Sequence, residues 1–137
     1  MNLRYYFPVA ALSVISAYGV LPSFGQDNAP QLLDGTELEY TYSDGGAVVL
    51  TFYDGLLKFR WIAGPFEGVT GEDLAYNARA VADDIFLVNW HDLDGPSFVS
   101  LVINLQQNTL YSSALLGYQT DGELSLFDEA TIERVER

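Results

Sequence analysis

The stretch that decides the fold class is AVVLTFYDGLLKFRWI, residues 47–62. Apolar and polar side chains alternate on both sides of Asp54-Gly55, as they do in strands that turn one face to a core. Asp-Gly is also a preferred pair for a two-residue type I′ turn, because both of its positions require positive φ angles. The stretch therefore predicts a hairpin of two adjacent antiparallel strands, residues 47–53 and 56–62.

Turn signals continue at short intervals on both sides of this hairpin, and the runs between them are rich in Val, Ile, Tyr, Phe, Trp and Thr. Such a rhythm is typical of antiparallel sandwiches and barrels. The six further predicted strands are residues 37–42, 74–80, 85–91, 98–104, 109–115 and 123–135. We therefore predict an all-β fold, a single closed antiparallel β-barrel of about eight strands.

Two segments are expected to depart from plain strands and tight turns. Residues 63–73 form the longest interior connection and contain three glycines and one proline. This composition predicts a lid over one mouth of the barrel. We also expect an irregular or short helical piece at residues 127–130, near the start of the last strand.

Strand periodicity assigns the side chains that point inward. The expected inward set is Leu38, Tyr40, Tyr42, Val48, Leu50, Phe52, Leu57, Phe59, Trp61, Phe86, Val88 and Trp90. One more step along the fifth strand places Asp92 on the same side as Trp90, at the rim. The sixth strand is apolar on both faces, so one face must pack outside the barrel, which predicts a homodimer contact or a covering terminal segment.

The first 25 residues are typical of a secretory signal peptide. Arg4 precedes an apolar run, and small residues stand near Gly25, where a signal peptidase would cleave. We therefore divide the chain into a signal peptide (1–25), an N-terminal segment (26–36) and a barrel domain (37–137). An uncleaved membrane anchor is the alternative, because the apolar run is nearly long enough to span a bilayer.

The composition limits the partners and the compartment. The formal net charge is −13, so we expect no nucleic-acid partner and no stable membrane association after cleavage. The chain has no cysteine, whereas small exported eukaryotic domains usually have disulfides, and this favours a secreted or periplasmic bacterial protein. His91 is the only histidine. We expect it at the surface or rim, and we expect no metal site, since several ligands must converge to form one.

One group of residues could carry chemistry: two phenols, a tryptophan, a rim acid and a cation. They are Tyr40, Tyr42, Trp90 and Asp92, with Arg60 or Arg79 as the cation. Two phenols two residues apart on a strand project side by side and can bind the same ligand. A carboxyl group beside an indole ring is partly desolvated, which favours proton transfer near neutral pH. The alternative from spacing alone is a set of core aromatics and a turn aspartate.

The order of several short motifs resembles the phenolic acid decarboxylases and the related MoaF-like proteins. The motifs are YTYSDG (40–45), FR (59–60), AY (75–76), IFLVNW (85–90) with Asp92 two places later, and VSLVINL (99–105). The resemblance implies a lipocalin-like (calycin) barrel, often dimeric, with a central ligand cavity and no cofactor.

The same resemblance implies roles for individual residues. Tyr40 and Tyr42 match the tyrosines with which the decarboxylases grip a substrate carboxylate. Asp92 stands where those enzymes have a glutamate that handles the proton. Their carboxylate-binding arginine falls near Val69, so this chain departs from the decarboxylase pattern and looks more like the MoaF-like branch.

Three functions are open at this point. The leading hypothesis is an exported barrel that binds a small aromatic or hydrophobic molecule in a cavity lined by Tyr40, Tyr42, Phe59, Trp61, Trp90 and Asp92. The second is a cofactor-independent lyase or isomerase acting on a hydroxyaromatic compound, with Tyr40, Tyr42 and Asp92 as its catalytic residues; the missing arginine disfavours it. The third is a structural or partner-binding barrel with a filled core, which the inward phenols disfavour because buried hydroxyls need partners.

Overall fold

The computed structural model describes residues 31–137, and all regular structure in this part of the chain is β-strand. The strands are β1 (Glu37–Tyr42), β2 (Ala47–Tyr53), β3 (Leu56–Ala63), β4 (Thr70–Ala82), β5 (Ile85–Asp92), β6 (Ser97–Asn104), β7 (Thr109–Leu116) and β8 (Leu124–Glu136). Each strand pairs antiparallel with its neighbours in the chain, and β8 pairs with β1. The prediction of one closed antiparallel barrel of about eight strands is confirmed.

The hairpin of β2 and β3 forms as its sequence predicts. Asp54 and Gly55 have φ angles of 49° and 76°, the left-handed values that a type I′ turn requires at both positions. The two strands pair directly across the turn, starting at Tyr53 and Leu56. This turn fixes the register that sends Phe52 into the core, where it is fully buried.

β4 is longer than predicted, so the connection before it is shorter. The strand begins at Thr70 rather than at residue 74, because Thr70 and Gly71 pair with Arg60 and Phe59 of β3. Backbone pairing with β3 outweighs the weak strand preference of the Gly-Glu-Asp sequence that starts at Gly71. The predicted connection was too long, and the loop between β3 and β4 covers only residues 64–69.

β8 is a continuous strand over Leu124–Glu136, with one shift in its pairing with β1 at Glu133, so the irregular or short helical piece predicted at residues 127–130 is wrong. Its first half pairs with β7, where Phe127 stands opposite Ser113, and its second half pairs with β1. Closing the barrel requires backbone hydrogen bonds between the last strand and both of its neighbours. Tertiary pairing therefore overrides the local sequence preference.

The hairpin connections give the barrel two different ends. The turns after β2, β4 and β6 lie at one end, which we call the closed end, and the connections after β1, β3, β5 and β7 lie at the other, the open end. Residues 31–36 form a turn on the closed end, where Leu33 is buried and the Gly35 N–H donates to the Phe52 carbonyl. Leu33 joins one core cluster with the fully buried side chains Leu38, Leu50, Phe52, Leu57, Tyr76, Val88, Leu101, Ile103 and Leu110.

Asp34 ties this turn to the sheet. Its carboxylate accepts hydrogen bonds from the Gln31 N–H at 2.9 Å, the Gly55 N–H at 3.0 Å and the Tyr76 hydroxyl at 2.8 Å. Burial alone would raise the pKa of Asp34, but these donors outweigh it and hold the pKa below its ordinary value of 3.8. One carboxylate therefore links the N-terminal turn, the β2–β3 hairpin and β4.

The outer face of β5, β6 and β7 carries exposed apolar side chains. On β6, Leu101 points into the core, whereas Phe98 lies on the other face and is 46 % exposed. Leu87 of β5 and Tyr111 of β7 stand on either side of Val102 on the outer face and are also exposed. One face of β6 thus lies outside the barrel, and the homodimer contact or covering terminal segment expected there stays a prediction.

The predicted signal peptide (1–25) and its cleavage site lie outside the described residues. Within residues 31–137, no helix is long and apolar enough to cross a membrane. The first strand begins at Glu37.

Candidate functional site

A cavity of about 390 Å³ lies at the open end of the barrel. All eight strands contribute side chains to its lining, and the loops after β3 and β5 border it. Its volume falls in the usual range for small-molecule sites, roughly 300–1,000 Å³. The side chains of the barrel therefore do not fill its open end.

The side chains expected to line a cavity all line this one: Tyr40, Tyr42, Phe59, Trp61, Trp90 and Asp92. They come from β1, β3 and β5, which are not adjacent strands. Closure of the sheet brings them together, because inward positions of all strands then face one interior. Tyr40 and Trp90 are buried, and the other four are partly exposed toward the open end.

Aromatic rings form a continuous wall on one side of the cavity. The Tyr42 ring stacks on the Trp61 indole with centroids 5.7 Å apart and planes inclined by 18°. The Tyr40 ring meets Tyr42 edge-on at 5.6 Å, and Phe66 of the β3–β4 loop lies 5.0 Å from Trp61. Each such pair contributes about 0.5–1.5 kcal/mol beyond the burial of its surface. The wall is therefore held in place before any ligand arrives.

Phe59 and Trp90 form a second aromatic pair, with centroids 6.4 Å apart. Gly71 of β4 makes room for the Phe59 ring, since a Cβ atom built on this glycine would collide with the ring edge. A glycine inside a strand often marks such a close approach. The unexpected first residues of β4 thus help to shape the cavity.

The β3–β4 loop, residues 64–69, rests on the β1–β2 turn. Gly64 has a φ angle of 86°, and a Cβ atom there would lie 2.5 Å from the Gly46 Cα. Only glycine allows both this backbone conformation and this approach. Phe66 and Val69 of the loop line the cavity. The loop expected to form a lid is shorter than predicted, and it borders the mouth.

The phenols of Tyr40 and Tyr42 stay uncharged at neutral pH. Burial raises the pKa of Tyr40 well above its ordinary value of 10.0, and the neighbouring Tyr42 raises it further. Burial also raises the pKa of Tyr42; hydrogen bonding with Ser112 and Tyr40 opposes this effect, whereas the Asp128 and Asp44 carboxylates add to it. Both hydroxyls can therefore donate or accept hydrogen bonds without carrying charge.

Asp92 lines the cavity at its rim, but the β5–β6 turn already uses part of its carboxylate. The Oδ1 atom accepts hydrogen bonds from the Asp94 N–H at 3.0 Å and the Gly95 N–H at 3.2 Å. Asp92 is thus a turn aspartate, which is the alternative that the spacing left open. It is also the only charged side chain among the lining residues that the structure describes.

The predicted cationic partners do not reach the cavity. Arg60 and Arg79 are both exposed, because each alternates along its strand with inward-facing neighbours and points outward. Val69, where the decarboxylase arginine would fall, lines the cavity and is 48 % exposed. Between residues 31 and 137, no lysine, arginine or histidine lines this cavity.

A second hollow of about 490 Å³ lies on the outside, where β4 and β5 separate. The pairing of these strands ends at Tyr76 and Trp90. Trp90 and Asp92 border both hollows, and His91 is exposed in the outer one, as predicted for a surface or rim side chain. The described part of the chain holds no group of three or more side chains suited to a metal ion.

The sequence interpretation missed several lining residues. Ser112 of β7 is buried and faces the cavity, and its alternation with Leu110 and Ala114 could have placed it inward. Phe66 had no such signal because it lies in a loop. Leu126 also lines the cavity. Its inward direction was not predicted, because a helical piece was expected at the residues that follow it.

The comparisons with known proteins agree with this architecture. The family model described as MoaF-like matches residues 34–126, and the comparison with curated proteins gave no match. One similar solved structure comes from Burkholderia vietnamiensis and carries the provisional description of a beta-lactamase. It is 17 % identical with a TM-score of 0.65, and the likeness covers 77 % of this chain and 96 % of that chain. At this level of identity the likeness shows the fold alone.

Proposed function

The chain belongs to the MoaF-like family, and from that premise we propose that it binds a small aromatic or hydrophobic molecule inside the barrel. The observation that carries the proposal is the cavity of about 390 Å³. Its lining is aromatic and aliphatic apart from a few hydroxyls and one carboxylate. Sites of this size and character usually bind small organic ligands, because apolar walls supply affinity and a few polar groups fix the orientation.

Three hydroxyls give the ligand a polar end to recognise. Tyr40, Tyr42 and Ser112 all line the cavity, and the phenols remain neutral because burial raises their pKa values. A flat molecule with one hydroxyl or carbonyl group could pack on the aromatic wall and hydrogen-bond to this set. A structural barrel with a filled core is less well supported, since the open end contains this space.

A cofactor-independent lyase or isomerase is the second candidate, because Tyr40, Tyr42 and Asp92 line one cavity. A decarboxylase, however, also has to hold a substrate carboxylate, and cationic groups are the usual partners for one. The described lining has no cation, and its only charge is the negative Asp92. Binding is therefore favoured over this chemistry.

A ligand screen on the purified protein tests the proposal. Trp61 and Trp90 are the only tryptophans of the chain, and both line the cavity. An aromatic ligand should therefore change the protein's fluorescence and raise its melting temperature, because it binds only the folded state. Phenols, aryl ketones and indoles are suitable first compounds. If no member of such a set changes either signal, the binding proposal fails.

The lyase alternative makes a separate prediction. We expect hydroxycinnamic acids to survive incubation with the pure protein, because Val69 stands where a carboxylate-binding arginine would be needed. The ultraviolet absorbance of the conjugated acid measures this directly. Loss of that absorbance with the wild type, and its retention with Asp92→Asn, would reverse the order of the two candidates.

We also propose that the protein acts outside the cytoplasm, as a secreted or periplasmic bacterial protein. The support is the sequence of residues 1–25 and the lack of cysteine. A ligand reached in that compartment would be a molecule from the surroundings of the cell.

A further inference from the structure

We infer that the cavity prefers an organic cation, a quaternary ammonium or protonated amine on a small apolar body. This inference rests on the proposed binding function and specifies the charge of the ligand. Two independent features of the open end support it, the aromatic lining and the arrangement of charges around the mouth.

The first feature is the aromatic lining. Six aromatic side chains line the cavity: Tyr40, Tyr42, Phe59, Trp61, Phe66 and Trp90. A cation within about 6 Å of a ring centroid is attracted by the electron-rich face of the ring, and tryptophan and tyrosine attract it best. Cages of such rings are the usual protein sites for quaternary ammonium groups. A neutral ligand would gain the same contact area without this attraction.

The second feature is a set of carboxylates around the mouth. Asp92 lines the cavity directly. Asp128 stands opposite Ser112 in the sheet, beyond Ala130, at which the pairing of β8 with β1 ends, and it is exposed. Asp44 belongs to the β1–β2 turn, where its Oδ1 accepts a hydrogen bond from the Gly46 N–H. The negative charges of Asp128 and Asp44 both raise the pKa of the Tyr42 phenol, which lines the cavity.

The positive side chains of the described residues are placed elsewhere. Arg134 forms ion pairs with Glu37, Glu39 and Glu136, and Arg137 pairs with Asp84 near the closed end. The remaining cations, Lys58, Arg60 and Arg79, are exposed on the outside of the barrel. A cation at the mouth therefore meets carboxylates and neutral phenols, whereas a carboxylate ligand meets like charge.

Two matched ligands test the preference. The compounds 3-hydroxyphenyltrimethylammonium and 3-tert-butylphenol have the same shape and differ by a positive nitrogen in place of a carbon. Titration followed by tryptophan fluorescence or calorimetry gives both dissociation constants. We expect the cation to bind at least about tenfold more tightly at low salt. Added salt should reduce this ratio, because exposed carboxylates are screened.

Charge-neutralising variants locate the effect. Asp92→Asn keeps an oxygen that can accept the turn hydrogen bonds, and Asp128→Asn changes an exposed side chain. Each should lower the ratio of the two affinities several-fold. Asp83→Asn is the matched control, since it removes one negative charge from the exposed turn at the closed end and should leave the ratio unchanged.

The outcomes separate this inference from the proposed function. Equal affinities, or tighter binding of 3-tert-butylphenol, would overturn the cation preference and leave the binding function intact. An equal effect of Asp83→Asn and Asp92→Asn would also overturn it, because the preference would then reflect total charge alone. If neither compound binds while other neutral aromatics do, the inference also fails and the binding proposal stands. If no aromatic compound of any charge binds, both fail together.

Discussion

Tyr42 is the residue at which ligand binding can best be separated from fold stability. Its ring stacks on Trp61, and its hydroxyl interacts with those of Tyr40 and Ser112. We expect Tyr42→Phe to keep the stacking and to change the free energy of unfolding by less than about 1 kcal/mol. The affinity for a phenolic ligand should fall roughly tenfold, which corresponds to ~1.4 kcal/mol. Thermal melts and ligand titration measure the two effects.

The control for this substitution is Tyr111→Phe. Tyr111 lies on the outer face of β7 and is 46 % exposed, so its hydroxyl should affect neither property. A lower melting temperature for Tyr42→Phe with unchanged ligand affinity would mean that the Tyr42 hydroxyl only makes hydrogen bonds within the protein and does not contact the ligand.

Single residues of the site could be predicted where strand alternation applies. It placed Tyr40 and Trp61 on the cavity wall correctly, because the side-chain period of a strand is fixed. It could not show that the Asp92 carboxylate is held by the following turn, since that depends on loop geometry. The expectation that Arg60 or Arg79 would contact the ligand was wrong. It considered only that both side chains are cationic, and it overlooked that strand alternation points both of them outward.

Among the structural elements, the turn at residues 31–36 should depend on Asp34 for its attachment to the sheet. Asp34→Ala removes the acceptor of the bonds from Gln31, Gly55 and Tyr76. Hydrogen bonds to charged groups are the stronger ones, so we expect a loss of roughly 2 kcal/mol in the free energy of unfolding. Urea unfolding measures it. Asp83→Ala, in an exposed turn, should stay within about 0.5 kcal/mol of the wild type; an equally small change for Asp34→Ala would contradict the linking role.

The same carboxylate should make stability depend on pH. The pKa of Asp34 in the folded state lies below its ordinary value of 3.8. At acidic pH the folded state therefore binds fewer protons at this site than the unfolded state does. The stabilisation is therefore fully present above the ordinary value and is lost as the pH falls through the lowered folded-state pKa. In unfolding experiments from neutral to acidic pH, the stability difference between wild type and Asp34→Asn should shrink with acid. A difference that stays constant would argue against this assignment.

The β3–β4 loop offers a second test at this scale. Gly64→Ala introduces strain at a positive φ angle and a collision with the Gly46 backbone. Gly68→Ala shares the positive φ, at 89°, but meets no neighbouring atom within 4 Å. We expect both variants to lose about 1 kcal/mol or more, and only Gly64→Ala to shift the Trp61 fluorescence and weaken ligand binding. Equal effects on fluorescence would mean that the close approach does not position the loop.

Elements were predictable where the chain carries its own turn signal. The Asp54-Gly55 pair fixed β2 and β3 because the conformation it requires is local. The start of β4 and the continuous course of β8 depend on pairing with other strands, such as the pairing of Gly71 with Phe59. Local preference cannot report such pairing, which explains both errors.

At the scale of the whole molecule, export is the prediction most easily checked. Residues 1–25 have the features of a signal peptide, so we expect the mature protein to begin at Gln26. Intact mass or N-terminal sequencing of protein secreted from its native host decides this. Recovery of the full chain with Met1 in the membrane fraction would favour an anchor.

Strand count and spacing limited the fold to an antiparallel sandwich or barrel, and the resemblance to the MoaF-like proteins favoured the barrel. They could not supply the cavity, because its volume depends on how side chains from all strands meet after closure. Strand count and spacing also could not show which end of the barrel is closed, because this depends on where the turn at residues 31–36 packs.

The pairing of β1 with β8 determines how the barrel can be attached to other structures. Glu37 and Glu136 stand side by side at the closed end, so the segments before β1 and after β8 both leave the barrel from its base. A label, a partner domain or a solid support joined at either position would lie away from the four connections at the open end. An immobilised barrel would then keep its open end toward the solution, so the proposed ligand binding could be measured on a sensor surface.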